Sequence, residues 1–145
     1  MKRVLELLKN SDMKEIPVAA IIVKDGKIIA KARNLKETLN DVTAHAEILA
    51  IREAEKKLGN WRLDGCELYV NLEPCPMCAT AIINSRISAV YFGSYDNQFG
   101  ALDSAVDLRK IYNSTLKVYG GIMEKECDEI LDKYFAGIRR NNAPY

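Results

Sequence analysis

Residues able to bind a transition metal gather in two short segments, His45-Ala46-Glu47 and Pro74-Cys75-Pro76-Met77-Cys78. His45 is the only histidine of 145 residues, and Cys75 and Cys78 are the one close pair among the cysteines Cys66, Cys75, Cys78 and Cys127. Thiols at i and i+3 in a first helical turn face the same way, and the positive helix end there lowers thiol pKa toward the thiolate that zinc requires. With His45 they make a three-ligand set, which keeps a fourth zinc position open for water that ionises near neutral pH. Such a nucleophile can attack an amino-bearing ring carbon if a carboxylate takes the water's proton and returns protons to the ring nitrogen and the leaving amine. Glu47 is the candidate for that work. In an ideal helix, residues two apart are separated by roughly 200°, so His45 is expected in an irregular turn ahead of the helix, with Glu47 pointing back toward the metal.

The elements that must carry these residues follow from periodicity. Val4, Leu5, Leu7 and Leu8 suggest a short amphipathic helix, and Val18 to Val23 a buried strand opened by Pro17. Asp25-Gly26 suits a tight hairpin into a second strand, Lys27 to Ala32, paired antiparallel. Ala44 to Leu58 has helical spacing and stops at Gly59. Cys66 to Leu72 alternates as a third strand, and Pro74 ends it. Met77 to Ser85 is a third helix, with Pro76 tolerated in its first turn. A fourth strand, Ile87 to Phe92, is followed by a polar loop from Gly93 to Gly100. A short helix near Ser104 to Tyr112, a strand at Leu116 to Tyr119 and a C-terminal helix from about Glu124 to Arg140 complete the chain. Strands alternating with helices argue for a three-layer α/β/α sandwich, one mixed five-stranded sheet with helices on both faces.

With 48% hydrophobic and 28% charged residues the chain has the balance of one globular domain, 1–145. It offers no apolar run of membrane-spanning length, and Met1-Lys2-Arg3-Val4 opens no secretory segment. A cytoplasmic protein with reduced thiols is therefore expected. A net charge of +1 lacks the overall basic footprint of many nucleic-acid binders, so any RNA contact must be local. Two other readings remain at this point. Cys66 or Cys127 could close a four-ligand structural zinc site, although each suits a small apolar core position. The near-neutral charge also fits an enzyme acting on free guanine, cytosine or cytidine. Glu73 is a second carboxylate near the metal segments, expected to serve backbone partners because the residue before a proline is held extended.

The pairing of H-x-E with P-C-x-x-C resembles the zinc deaminase signature, and the flanks resemble the bacterial tRNA-specific adenosine deaminase family nearly end to end. The residues that carry this likeness include Ile16-Pro17-Val18, Asn34, Thr43-Ala44-His45-Ala46-Glu47, Trp61-Arg62-Leu63, Leu72-Glu73-Pro74-Cys75, Ser85-Arg86-Ile87, Phe92-Gly93, Tyr134-Phe135 and Arg139-Arg140. The resemblance implies a cytidine-deaminase-like fold, a homodimer with one Zn2+ per subunit, and hydrolysis of adenosine to inosine at the wobble position of an arginine tRNA anticodon. It further implies that Asn34 hydrogen-bonds the flipped base and that Val18 and Ala20 line its pocket. Ala44 and Cys75 would offer backbone groups, Asp96 would meet a sugar or its neighbour, and Lys36, Arg62, Arg139 and Arg140 would meet phosphates. The chain departs from the family pattern at Ala19, at Gln98, at Asn113-Ser114-Thr115 and in a slightly short loop from Gly100 to Thr115.

Overall fold

The computed structural model describes residues 1–141. Helix α1 spans Lys2–Glu6, and strands β1 (Ala19–Lys24) and β2 (Lys27–Arg33) follow as a hairpin. Asp25 and Gly26 turn it with φ of 51° and 75°, the left-handed pair that this two-residue turn demands. Next come α2 (Ala46–Leu58), β3 (Cys66–Leu72), α3 (Pro76–Asn84), β4 (Ala89–Ser94), α4 (Leu108–Tyr112), β5 (Lys117–Tyr119) and α5 (Glu124–Arg140). The sheet runs β2-β1-β3-β4-β5, with β1 antiparallel to both neighbours and β3, β4 and β5 parallel, the mixed five-stranded sheet expected.

Strand alternation decides which helices cover which face. Ala20 and Ile22 of β1, Leu68 and Val70 of β3 and Phe92 of β4 pack with Ala50 and Ala54 of α2 and with Ile82 of α3 in the main core. The intervening Ala19 and Ile21 meet Val4 and Leu8, with Tyr69 and Ile130 of α5 against them. Helices α2 and α3 thus lie on one face and α1 and α5 on the other. Both metal segments stand at the N-terminal ends of α2 and α3, side by side on the first face.

Most boundaries shift by a residue or two, and three shifts have identifiable local reasons. Strand β4 reaches Ser94 because parallel pairing with β3 continues to Leu72–Ser94, so Gly93 and Ser94, expected in the loop, belong to the ladder. Gly93 is required there, since a Cβ would run into the Cys127 side chain of α5 and the Asn71 carbonyl. Helix α4 starts only at Leu108, capped by the Asp107 carboxylate on the Arg109 amide at 3.1 Å, because Ser104 is committed elsewhere. Helix α1 ends at Glu6, and Leu7 and Leu8 continue as turns.

Candidate active site

His45 is the N-cap of α2 with φ −73° and ψ 153°, extended backbone that lies outside the helix. That resolves the spacing problem of H-x-E. Glu47 sits in the first turn and is 4% exposed. Cys75 is likewise the extended N-cap of α3, followed by Pro76 in the first turn, where its missing N–H costs nothing. Cys78 follows one turn in, fully buried.

The two helix ends bring three donors together. His45 Nδ1 lies 3.7 Å from Cys75 Sγ and 3.4 Å from Cys78 Sγ, and all three donor atoms fall within 4.8 Å of one another. A tetrahedral zinc with bonds of about 2.3 Å to sulfur and about 2.05 Å to nitrogen separates those atoms by about 3.6 Å. The donor set fits the ion in type and in spacing. Among the described residues this is the one such group, and neither Cys66 nor Cys127 joins it. Cys66 is buried in the main core, and Cys127 is buried under Gly93, its thiol pushed up to about 11 by burial.

Proton positions among these groups follow from mutual hydrogen bonding. The Cys78 thiol, and after it His45, bring the Cys75 thiol down to about 4. Cys78 itself is pushed up by that bond and by burial, and His45 is raised by its bond to Cys75. A divalent cation would displace the remaining thiol proton, since ligation requires thiolate. Burial raises the Glu47 carboxyl to about 7, within the range useful to a general acid or base.

A cavity of about 350 Å³ opens over this cluster. His45, Glu47 and Cys75 line it together with the apolar side chains of Ile16, Val18 and Leu72; Asn34, Lys36, Asp96 and Phe99 complete its polar side and mouth. The Asn34 amide donates to the Ile16 carbonyl at 3.3 Å, and its oxygen accepts from the Lys36 amide at 3.2 Å. One N–H and one lone pair of that side chain stay available. Val18 is held at the wall by Asn71, fully buried, which accepts from the Ala19 amide and donates to the Pro17 carbonyl, both at 2.9 Å.

Other sequence-predicted residues lie elsewhere. Ala20 points into the main core and is fully buried; it shares a face with Val18 but lies deeper beneath α2, while Val18 takes the wall. Ala44 is also fully buried, its N–H given to the Asp41 carbonyl and its C=O accepting from the Leu35 amide, both at 3.0 Å. Arg62 is exposed, paired with Asp64 at 2.9 Å and lying 5.5 Å over the Trp61 ring. Arg139 and Arg140 are exposed in the last turn of α5. None of these lines the cavity.

Glu73 carries more than sequence reasoning assigned to it. Its carboxylate, 2% exposed, accepts from the amides of Asp96, Leu102, Asp103 and Ser104 and from the Ser104 hydroxyl. The segment 95–104 is thereby fixed to the end of β3. Phe99 was missed as well; an aromatic in a polar loop, even with Tyr95 four residues before it, gives no periodic signal.

The fold and this centre together define a nucleobase-type deaminase. A family model described as MafB19-like deaminase matches residues 1–139. The tRNA-specific adenosine deaminase of Bacillus subtilis (strain 168) is 43% identical over 97% of this chain and 89% of its own length. A solved structure from work on A-to-I editing by tRNA:A34 deaminases is 42% identical, covers 90% of this chain and 100% of its own, and superposes with a TM-score of 0.84. The guanine deaminase of Nitrosomonas europaea is 25% identical over 93% of this chain and 82% of its own, with a TM-score of 0.79. The chain belongs to the deaminase family, within its tRNA-specific adenosine deaminase branch.

Proposed function

We propose that this protein hydrolyses adenosine to inosine at the wobble position of a tRNA anticodon, an arginine tRNA by the family likeness, releasing ammonia. The observation that carries the reading is the convergence of His45, Cys75 and Cys78 beside the buried Glu47 at the floor of the cavity. These three side chains would hold one zinc per subunit, which when bound supplies an acidified water at neutral pH. Glu47 would take a proton from the attacking water and deliver it to N1 of adenine, then take the proton of the new C6 hydroxyl and hand it to the 6-amino group, so that C6=O forms as the C6–N bond breaks and ammonia leaves. Val18, Ile16 and Leu72 exclude bulk water from the base, and the free N–H and lone pair of Asn34 orient it. Asp96 and Lys36 stand at the mouth for the sugar and phosphate. Arg139 and Arg140, outside the cavity, would meet phosphates farther along the RNA, and Arg62 would do so by exchanging Asp64 for a phosphate. The protein would work as one deaminase domain in a cytoplasmic homodimer; no described helix is long and apolar enough to cross a membrane.

Likeness to a guanine deaminase favours a second reading, action on a free base. The test is inosine formation on an arginine anticodon stem-loop in competition with free guanine, cytosine and cytidine. The tRNA reading expects the stem-loop to dominate. Comparable or faster turnover of a free base would replace it.

A further inference from the structure

We propose that Phe99 is a stacking platform for a second nucleobase, the immediate neighbour of the base that enters the cavity. This inference rests on the RNA reading above. Phe99 lines the cavity mouth beside Asp96, yet it is 58% exposed. An apolar ring on a slack loop would fold down onto nearby apolar side chains, since burial favours it. The backbone here is not slack. Asp96 Oδ1 accepts from the amides of Gln98 and Phe99 at 3.0 Å each, and the Gly100 amide donates to the Asp96 carbonyl at 2.8 Å. Gly100 has no room for a Cβ, which would meet the Glu73 carboxylate and the Asp96 carbonyl. On its far side the loop is tied by Glu73 to Leu102, Asp103 and Ser104. The ring is therefore carried, exposed, on a fixed stretch of backbone at the mouth.

What the ring offers there is a π face without hydrogen-bonding groups. A base buried in the cavity has left the stack of its strand, and the next base along loses its stacking partner at the mouth. Single-stranded bases are commonly taken up on aromatic side chains. Lys36, also on the lining, supplies a cation for the connecting phosphate. Nothing in such a contact reads base identity, so the platform fixes register rather than sequence.

The test is a double-mutant cycle on kcat/KM for inosine formation by the full-length zinc-loaded protein. Stem-loops carry the intact anticodon loop, or an abasic nucleotide on the 5′ or the 3′ side of the target adenosine. Phe99→Ala is expected to lower kcat/KM on the intact loop by about 5- to 150-fold, the worth of one base–aromatic stack. Wild type should lose a similar factor when one particular neighbour is abasic, whereas Phe99→Ala should lose little more there. Phe99→Trp should restore activity. Equal activity of Phe99→Ala and wild type on the intact loop overturns the inference alone, as does an undiminished Phe99→Ala loss on both abasic loops, which would make the ring a lid on the target base. If wild type forms no inosine on any stem-loop but turns over free bases, the tRNA reading falls and the second-base platform with it.

Discussion

Replacing Glu73 with glutamine conserves volume and removes a charge from the point where the cavity's mouth is anchored. One carboxylate oxygen accepts the Asp96 amide at 3.1 Å and the Ser104 hydroxyl; the other accepts the amides of Leu102, Asp103 and Ser104 at 3.4, 3.0 and 2.9 Å. Glutamine best places its oxygen toward the three amides, which leaves its NH2 facing the Asp96 N–H, donor against donor. The Ser104 hydroxyl can rotate to accept; the amide cannot. One unpaired buried N–H costs about 1–3 kcal/mol, and three bonds that lose charge assistance cost roughly 0.5–1 kcal/mol each. The sum is about 2.5–6 kcal/mol, a large share of the roughly 5–15 kcal/mol expected of a domain. Urea unfolding followed by far-UV circular dichroism, with zinc loaded in both proteins, should show a lower midpoint at unchanged slope. A loss below about 1 kcal/mol would refute the assignment of Glu73 as the loop's anchor.

Three further outcomes follow from other sites. Gly93→Ala should destabilise by about 1–3 kcal/mol in the same assay through overpacking, and Cys127→Ala should relieve only part of it, because the Asn71 carbonyl, 2.9 Å from the new Cβ, stays in place. Hydrogen bonding from Arg109 holds the Asp107 carboxyl below its usual 3.8, so its contribution to stability is present above 3.8 and lost as pH falls through the lower native value. Asp107→Asn should therefore lower stability at neutral pH and flatten its acid limb, measured by thermal unfolding across pH; an unchanged limb would remove the linkage. If Lys36, Arg62, Arg139 and Arg140 each neutralise one phosphate, log K for a stem-loop should fall with log salt at a slope of roughly −3, at about −0.7 per contact. A flat response would exclude phosphate contacts by these four.

The sequence carried the strand order's raw material and the metal centre well, because both depend on local chemistry. His45 had to leave the helix for Glu47 to face it, and its extended N-cap conformation does that. Asp25-Gly26 and Gly59 likewise marked their turns through backbone preference alone. The features that escaped depend on contacts distant in sequence. Asn71 holds Ala19 at the start of β1 and Pro17 just before it from 52 and 54 positions away, and Glu73 gathers amides 23 to 31 positions onward. Neither carboxylate nor amide announces its partners in a one-dimensional pattern. Ala20 and Val18 have the same parity and differ only in depth beneath α2, which periodicity does not report. The delayed start of α4 follows from Ser104 being held by Glu73, a tertiary contact that overrides helical spacing.

Metal content measured together with turnover, in wild type and Glu47→Ala, reaches the central assignment most directly. Three ligands and a separate proton carrier predict one zinc per chain in both proteins, with inosine formation reduced by at least about 10²-fold in the variant. Loss of zinc on removing Glu47, or a metal-free wild type that still forms inosine, would contradict that division of labour.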